Sequence, residues 1–316
     1  MILPSEAEVE QALPFKSLIP ALRRAFSGDI TVPMRHHHDF AHPSAEQDST
    51  LLLMPAWKIG ETLGVKVVTV SPENAQLQLP AIHGVYLLFD ASTGQPLLQC
   101  DARTLTSKRT AAASALAADY LARPDSEQLL MVGTGVLAPQ LIAAHATVRS
   151  IKEVYLWGRN PEKAQQLKRR IEHLGFSKVE VVVDLAAVVP NMDIISVATL
   201  SPDPLIFGKW LRPGQHIDLV GSYKPSMREA DDEAIVKAQV YVDTFQGATK
   251  ETGDIVIPLQ KGILRQSQIK GDLFGLCRAE AQGRNNPKDI TLFKSVGHAL
   301  EDLAAADLLL KELKTS

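Results

Sequence analysis

The 316-residue chain has few cysteines, few aromatic side chains and almost no excess of either charge. Its two cysteines, Cys100 and Cys277, cannot build a disulfide framework or a cysteine-rich zinc site. They leave room for one bridge at most, and free thiols in a reducing compartment are the simpler expectation. Lys+Arg number 33 against 36 Asp+Glu, a formal net charge of −3. That balance leaves no electrostatic footprint for nucleic acid or an anionic membrane. No run approaches the roughly 20 apolar residues that a membrane span requires. The opening Met1-Ile2-Leu3-Pro4-Ser5-Glu6-Ala7-Glu8 lacks the basic and apolar stretches of a secretory signal. The expectation is a soluble cytoplasmic protein with no nucleic-acid or membrane partner. H-E-x-x-H, G-x-S-x-G and a Walker A lysine are also missing, which removes the zincin, serine-hydrolase and P-loop classes.

What is present is ordinary globular usage, with 45% hydrophobic and 22% charged residues. At roughly 150 residues per domain, the length suggests two domains. Residues 1–112 mix helix and strand. Residues 5–26 carry apolar side chains at helical spacing, with breaks expected at Pro14 and Pro20. Residues 51–54 form a short apolar run. Gly64-Val65-Lys66-Val67-Val68-Thr69-Val70 is rich in β-branched residues and predicts a strand. Residues 84–90 predict another, with a turn at 91–96 and a returning partner at 97–100. Residues 106–122 are rich in alanine and predict a helix. From there strands and helices alternate: strands at 128–132, 153–157, 178–183, 193–198 and 216–220, with helices at 136–148 and 161–174. Residues 240–244 and 253–257 are candidates for further strands. Such alternation argues for an α/β protein with a doubly wound parallel sheet. Residues 290–313 predict mainly one long helix.

The densest chemical signal is Leu129-Leu130-Met131-Val132 running into Gly133-Thr134-Gly135-Val136-Leu137-Ala138. In this G-x-G-x-x-A pattern Gly133 permits the tight turn and Gly135 lets the backbone approach a pyrophosphate. Ala138 is small enough for close helix–strand packing. The helix start at Val136 and Leu137 then offers N–H groups to the anion. A strand–helix connection that merely needs glycine would look similar. The strand before, the helix after and the second strand about 20 residues on favour a dinucleotide. That second strand ends in Gly158-Arg159-Asn160. Asp or Glu there would favour NAD; a guanidinium suits a 2′-phosphate, so NADPH is favoured and NADH stays open. Two further strand ends, Ala198-Thr199 and Val220-Gly221-Ser222, carry the small and hydroxyl residues that suit a ribose or nicotinamide. Plain loop chemistry explains them equally well.

Histidines invite a metal. Arg35-His36-His37-His38-Asp39, with His42 nearby, is a candidate, but adjacent histidines point in different directions and no second cluster completes a coordination sphere. No metal is expected. Asp231-Asp232-Glu233 is expected to be a solvated helix start. His298, expected in a late helix, is a packed or surface histidine rather than a catalytic base.

Several segments together carry a resemblance. These are Val32-Pro33-Met34-Arg35, Leu52-Leu53-Met54-Pro55, Gly64 to Val68, and Thr106-Ser107-Lys108-Arg109-Thr110-Ala111-Ala112. The two glycine turns follow, then Ala198-Thr199, Val220-Gly221-Ser222-Tyr223, and Phe293-Lys294-Ser295-Val296-Gly297 with Leu300-Glu301-Asp302-Leu303. With these the chain resembles the ornithine cyclodeaminase/μ-crystallin family along nearly its whole length. The resemblance implies a Rossmann domain over 113–292. It also implies a smaller α+β substrate and dimerisation domain over 1–112, joined by a C-terminal helix over 293–316, and homodimers. It implies that Arg35, Lys66 and Arg109 meet a substrate carboxylate near the nicotinamide, with Lys66 as the proton-handling group. Val296 would line the substrate. Cofactor contacts would come from Arg109, Gly133, Gly135, Val136, Leu137, Gly158, Arg159, Asn160, Ala198, Thr199, Val220, Gly221, Ser222 and Ser295.

Two departures select a branch. The cyclodeaminases carry an aspartate where this chain has Tyr223, and a glutamate where it has Leu52. Cyclising ornithine needs groups that hold its side-chain amine and move protons. Without both acids the chain resembles the reductase branch, whose members reduce cyclic ketimines such as Δ1-pyrroline-2-carboxylate and Δ1-piperideine-2-carboxylate to L-proline and L-pipecolate. Alanine-type dehydrogenation, a cyclodeaminase lyase and non-catalytic NADPH binding are the alternatives.

Overall fold

The computed structural model describes residues 1–41 and 48–315. The chain divides into two compact units: Met1–Arg109 with the C-terminal segment from Ala299, and Thr110–His298. The first boundary falls inside one long helix, Ala102–Leu121.

The first unit is built on an antiparallel meander, β1 (His36–Phe40), β2 (Ser49–Trp57), β3 (Thr62–Val70), β4 (Ile82–Asp90) and β5 (Pro96–Asp101), in that spatial order. The period-2 geometry of a strand sends Gly64, Lys66 and Val68 of β3 to one face, and all three are buried. Helices Phe15–Ser27 and Ala299–Thr315 pack in this unit, the latter against β2 and β3. Lys66 therefore points into an interior. Lys66 pairs with Met54 on β2 and Tyr86 on β4. The β4–β5 turn closes through Asp90, whose Oδ1 accepts from Ser92 N (2.9 Å) and Thr93 N (2.8 Å). The break expected at Pro20 does not occur, because helix Phe15–Ser27 runs through it. An interior proline costs ~3 kcal/mol. Leu18, Leu22 and Phe26 are wholly buried, and at about 1.5–3 kcal/mol each they outweigh it.

The second unit is an all-parallel sheet: β6 (Gln128–Val132), β7 (Glu153–Trp157), β8 (Lys178–Val181), β9 (Ile194–Val197), β10 (His216–Leu219), β11 (Ala238–Val242), β12 (Gly271–Asp272) and β13 (Ile290–Lys294). Their spatial order is β12-β11-β13-β10-β9-β6-β7-β8. The chain starts at β6, steps outward to β7 and β8, then restarts on the other side with β9. That reversal, between β6 and β9, is the switch point at which ligands of such sheets bind.

Two sequence expectations fail here. Residues 290–294 are not helix but β13, seated between β10 and β11, so the C-terminal helix begins at Ala299 and not at 293. Residues 291–294 are buried on both faces, and a fully buried strand shows no alternation. Residues 253–257 are not strand but the start of helix Gly253–Gln260. Thr252 accepts at its hydroxyl from Asp254 N (3.3 Å), an N-cap that the apolar run hides.

Candidate active site

The second unit carries a cleft of about 360 Å3 at the C-terminal ends of β6, β7 and β9. Gly133, Thr134, Gly135, Gly158, Arg159, Asn160, Ala198 and Thr199 line it. Gly133 has φ +119°, and a Cβ there would collide with the carbonyl oxygen of Ala198. Gly135 faces open space, where a Cβ would meet nothing within 4 Å. Helix Leu137–Val148 starts at exposed Val136 with no side-chain cap. Ala138 N donates to Gly135 O (3.2 Å) and Pro139 has no N–H, so what an uncapped start offers an anion is the positive end of the helix dipole. These features fit the pyrophosphate of a dinucleotide. Asn160 Oδ1 accepts from Glu162 N (2.9 Å) and Lys163 N (3.2 Å), so its side chain fixes the next helix. Lys163, which the sequence argument passed over, lines the cleft beside Arg159. Lys163 lies in the first turn of helix Pro161–Ile171, so two cations line this side of the cleft.

The loops beyond β10 and β13 are fixed from beneath. Ser222 is buried, and its hydroxyl is engaged with Met227 O (2.5 Å) and Thr252 Oγ1 (2.8 Å). Asp243 Oδ2 accepts from Val296 N (2.6 Å) and Gly297 N (2.7 Å), and Ser295 is buried beside them. Burial raises the Asp243 carboxyl above its usual range despite these backbone donors. Ser222 and Ser295 therefore shape their loops with their side chains turned inward. Val220 and Gly221 stand at the end of β10.

The first unit holds a buried cluster of charged side chains. Lys66 Nζ lies 2.8 Å from Asp302 Oδ2. Arg109 Nε lies 2.9 Å from Asp302 Oδ1, and Arg109 Nη1 lies 2.6 Å from Glu301 Oε2. All four side chains are buried. Burial lowers the Lys66 ammonium to about 8; Asp302 opposes that, and the charges of Arg109 and Arg35 add to it. Arg35, in the segment before β1, is thus close enough to act on Lys66. Burial works against the charge of Arg109 too, but Asp302 and Glu301 outweigh it and hold the guanidinium protonated. Burial also works against the Asp302 carboxylate, and Arg109 and Lys66 overcome it, so Asp302 sits below the usual range. Sequence reasoning named the three cations and missed the two acids that hold Lys66 and Arg109. The signal was there in the adjacent Glu301-Asp302 directly before the apolar run Leu303-Ala304-Ala305-Ala306.

The remaining candidates are dispersed. His36 to Asp39 lie on β1, exposed throughout, and His42 falls outside the described residues. Among the described residues no three metal-ligating side chains cluster. His298 is not in a helix but just before one, edge-on to Phe274 at 5.8 Å. Tyr223 is 48% exposed. Among the described residues no helix is long and apolar enough to cross a membrane.

One unit is a Rossmann sheet with a prepared pyrophosphate turn and the other buries paired cations, which defines a nicotinamide-dinucleotide protein of two-unit design. The sequence matches the ornithine cyclodeaminase/mu-crystallin family over residues 2–316, and the chain belongs to that family. It is 38% identical to the Delta(1)-pyrroline-2-carboxylate reductase of Colwellia psychrerythraea, over 99% of each chain. Its fold is similar to that of the Thermococcus litoralis Delta(1)-pyrroline-2-carboxylate reductase in complex with NADH and L-proline. The TM-score is 0.92 at 34% identity, over 100% of this chain and 98% of that one. It is also similar to an archaeal alanine dehydrogenase dimer with bound NAD, with a TM-score of 0.90 at 27% identity over 100% and 96% of the chains.

Proposed function

We propose that this protein reduces a cyclic α-imino acid, Δ1-pyrroline-2-carboxylate or Δ1-piperideine-2-carboxylate, to L-proline or L-pipecolate with NAD(P)H. The observation that carries this reading is the buried set Lys66, Arg109, Glu301 and Asp302, with Arg35 acting on Lys66. An α-imino acid bears its carboxylate on the carbon that is reduced. Cations locked in place by buried acids orient that carboxylate without reorganising, and orientation is a large part of such catalysis. The cleft at Gly133–Gly135 would hold NAD(P)H, which would supply the hydride when bound. Arg109 is the fixed anchor, because its two acids lock the guanidinium plane. Lys66, lowered to about 8, keeps a proton at neutral pH and can share it with the imine nitrogen. Protonated nitrogen makes the adjacent carbon electrophilic. Neither Leu52 nor Tyr223 offers a carboxylate for a side-chain amine, which argues against ornithine cyclisation.

In this reading the protein works as a homodimer in the cytoplasm; the fold it shares with a dimeric alanine dehydrogenase supports the first point. One spectrophotometric experiment tests the activity. Consumption of NADPH and of NADH is followed with the five- and six-membered cyclic imines. In parallel, L-alanine with NAD(P)+ and L-ornithine with NAD+ are assayed. Coenzyme oxidation with the cyclic imines alone is expected. Turnover of alanine instead, or ammonia release from ornithine without net coenzyme change, would replace the proposal.

A further inference from the structure

Beneath the strand ends of the second unit lies a buried group that the reduction itself does not use. Glu229 is wholly buried in the segment that follows the β10 loop. Its Oε1 accepts from Thr199 N (2.7 Å) and from Thr199 Oγ1 (2.8 Å). Its Oε2 accepts from Gly221 N (2.7 Å) and, more weakly, from Ser222 N (3.4 Å). One carboxylate thus takes donors from the loop after β9 with one oxygen and from the loop after β10 with the other. The two loops touch at this point, since a Cβ on Gly221 would strike the backbone of Thr199. The backbone that carries Glu229 is itself held. Asp254 Oδ1 accepts from Glu229 N (2.7 Å) and Ala230 N (3.2 Å). Lys294, buried at the end of β13, stands 4.0 Å from Glu229 Oε2 and 3.3 Å from Asp254 Oδ2.

We propose that Glu229 is a positioning residue for the coenzyme, setting the spacing of the Thr199 and Gly221 loops through its ionised carboxylate. The inference rests on the dinucleotide reading of the adjacent cleft, which Thr199 lines. A carboxylate only accepts hydrogen bonds, so its ionised form satisfies the Thr199 and Gly221 donors together. Once protonated, one oxygen becomes a donor facing other donors, and the clamp loosens. Three charged groups meet here: Glu229, Asp254 and Lys294. Burial raises the Glu229 carboxyl to about 7; Lys294 opposes that, Asp254 reinforces it, and the Thr199 donors also oppose it. The clamp therefore titrates in the physiological range. It is complete above that value and is lost as the pH falls through it.

The test uses the full-length protein with NADH as probe, because NADH lacks the 2′-phosphate that titrates in the same range. Its Kd is measured from about pH 6 to about pH 8.5. The wild-type Kd should rise about tenfold between about pH 8 and about pH 6, as expected for a site that needs one group near 7 ionised. Glu229→Gln keeps the volume but fixes a neutral group with its own donor. It should bind NADH about tenfold or more weakly at about pH 8, with no further loss toward pH 6. A purely structural role would change the melting temperature and leave the wild-type pH slope in place. Wild-type affinity in Glu229→Gln, or the wild-type slope persisting there, overturns the proposal. Should that variant not fold, Thr199→Val removes the hydroxyl's bond to Glu229, together with the longer one it accepts from Ser201 N (3.3 Å), and keeps the Thr199 N–H bond. It should move the midpoint of the slope to higher pH, and an unmoved midpoint overturns the proposal. A wild-type protein that binds no NADH at any pH overturns the dinucleotide reading as well, which separates the two failures.

Discussion

Lys66 and Asp302 form an ion pair 2.8 Å long, with neither side chain more than 4% exposed. The pair joins the middle strand of the meander to the first turn of helix Ala299–Thr315. Because Asp302 also holds Arg109, one carboxylate sets the separation of two cations. Each depends on the other: without the acid the cations repel, and without the cations the acid is buried alone.

The first prediction concerns pH. Burial lowers Lys66 to about 8, against the pull of Asp302. The ammonium is thus present below about 8 and lost as the pH rises through that value. kcat/KM for the cyclic imine reports the free enzyme, so it should fall above about pH 8. Asp302→Asn removes the opposing charge, and the fall should begin at lower pH. Lys66→Met should erase that limb and leave only the one the substrate contributes. A profile that Asp302→Asn does not displace would show that Lys66 does not govern the alkaline side.

Arg109→Ala should act on activity and on stability together. A hydrogen bond to a charged group is worth roughly 1.5–3 kcal/mol, and each 1.4 kcal/mol is about tenfold. The loss of kcat/KM should be about 10- to 100-fold or more. Removing one member of a buried ion cluster costs about 3–5 kcal/mol, because Glu301 and Asp302 stay buried without it. Thermal unfolding and steady-state kinetics on the same preparation check both. Wild-type efficiency with a lowered melting temperature would leave Arg109 a structural residue only.

Coenzyme choice should lie with Arg159 and Lys163 at the rim of the cleft. Arg159→Asp should shift the NADPH/NADH ratio of kcat/KM toward NADH by roughly tenfold or more. Adding Lys163→Gln should extend the shift. Asn160 should be left in place in both variants, because its side chain caps the helix that carries Lys163. A ratio that stays put in the double variant would remove the 2′-phosphate from this rim.

The two turn glycines should separate by their surroundings. Gly133→Ala forces a methyl against the Ala198 carbonyl at φ +119°, and it should cost about 1–3 kcal/mol of stability. Gly135→Ala meets nothing in the protein itself, so its melting temperature should stay near wild type. Its methyl would fill the space the pyrophosphate needs, so coenzyme affinity should drop. Tm and Kd measured side by side decide this, and full affinity in Gly135→Ala would place the pyrophosphate elsewhere.

Much of the second unit could be read directly from residue order. Gly133, Gly135, Ala138 and Arg159 act through needs that are local to the chain: a positive φ, a missing Cβ, a helix start, a strand end. Such needs leave their mark within a few neighbours. The strand β13 left none, because burial on both faces erases the alternation that tells strand from helix. Pro20 misled for the converse reason, a local breaker overruled by burial. The cation cluster lay furthest out of reach. Arg109 and Asp302 are 193 positions apart, and nothing near either one marks the other as its partner. They meet because helix Ala299–Thr315 returns to pack on β2 and β3. Glu229 is the same kind of case: in sequence it is one acid just ahead of Asp231-Asp232-Glu233, and only the fold shows that it bonds the loop after β9, 30 positions away, as well as the loop after β10. Backbone demands are written beside the residues that meet them, whereas charge pairing in a dry interior depends on which segments the packing brings together.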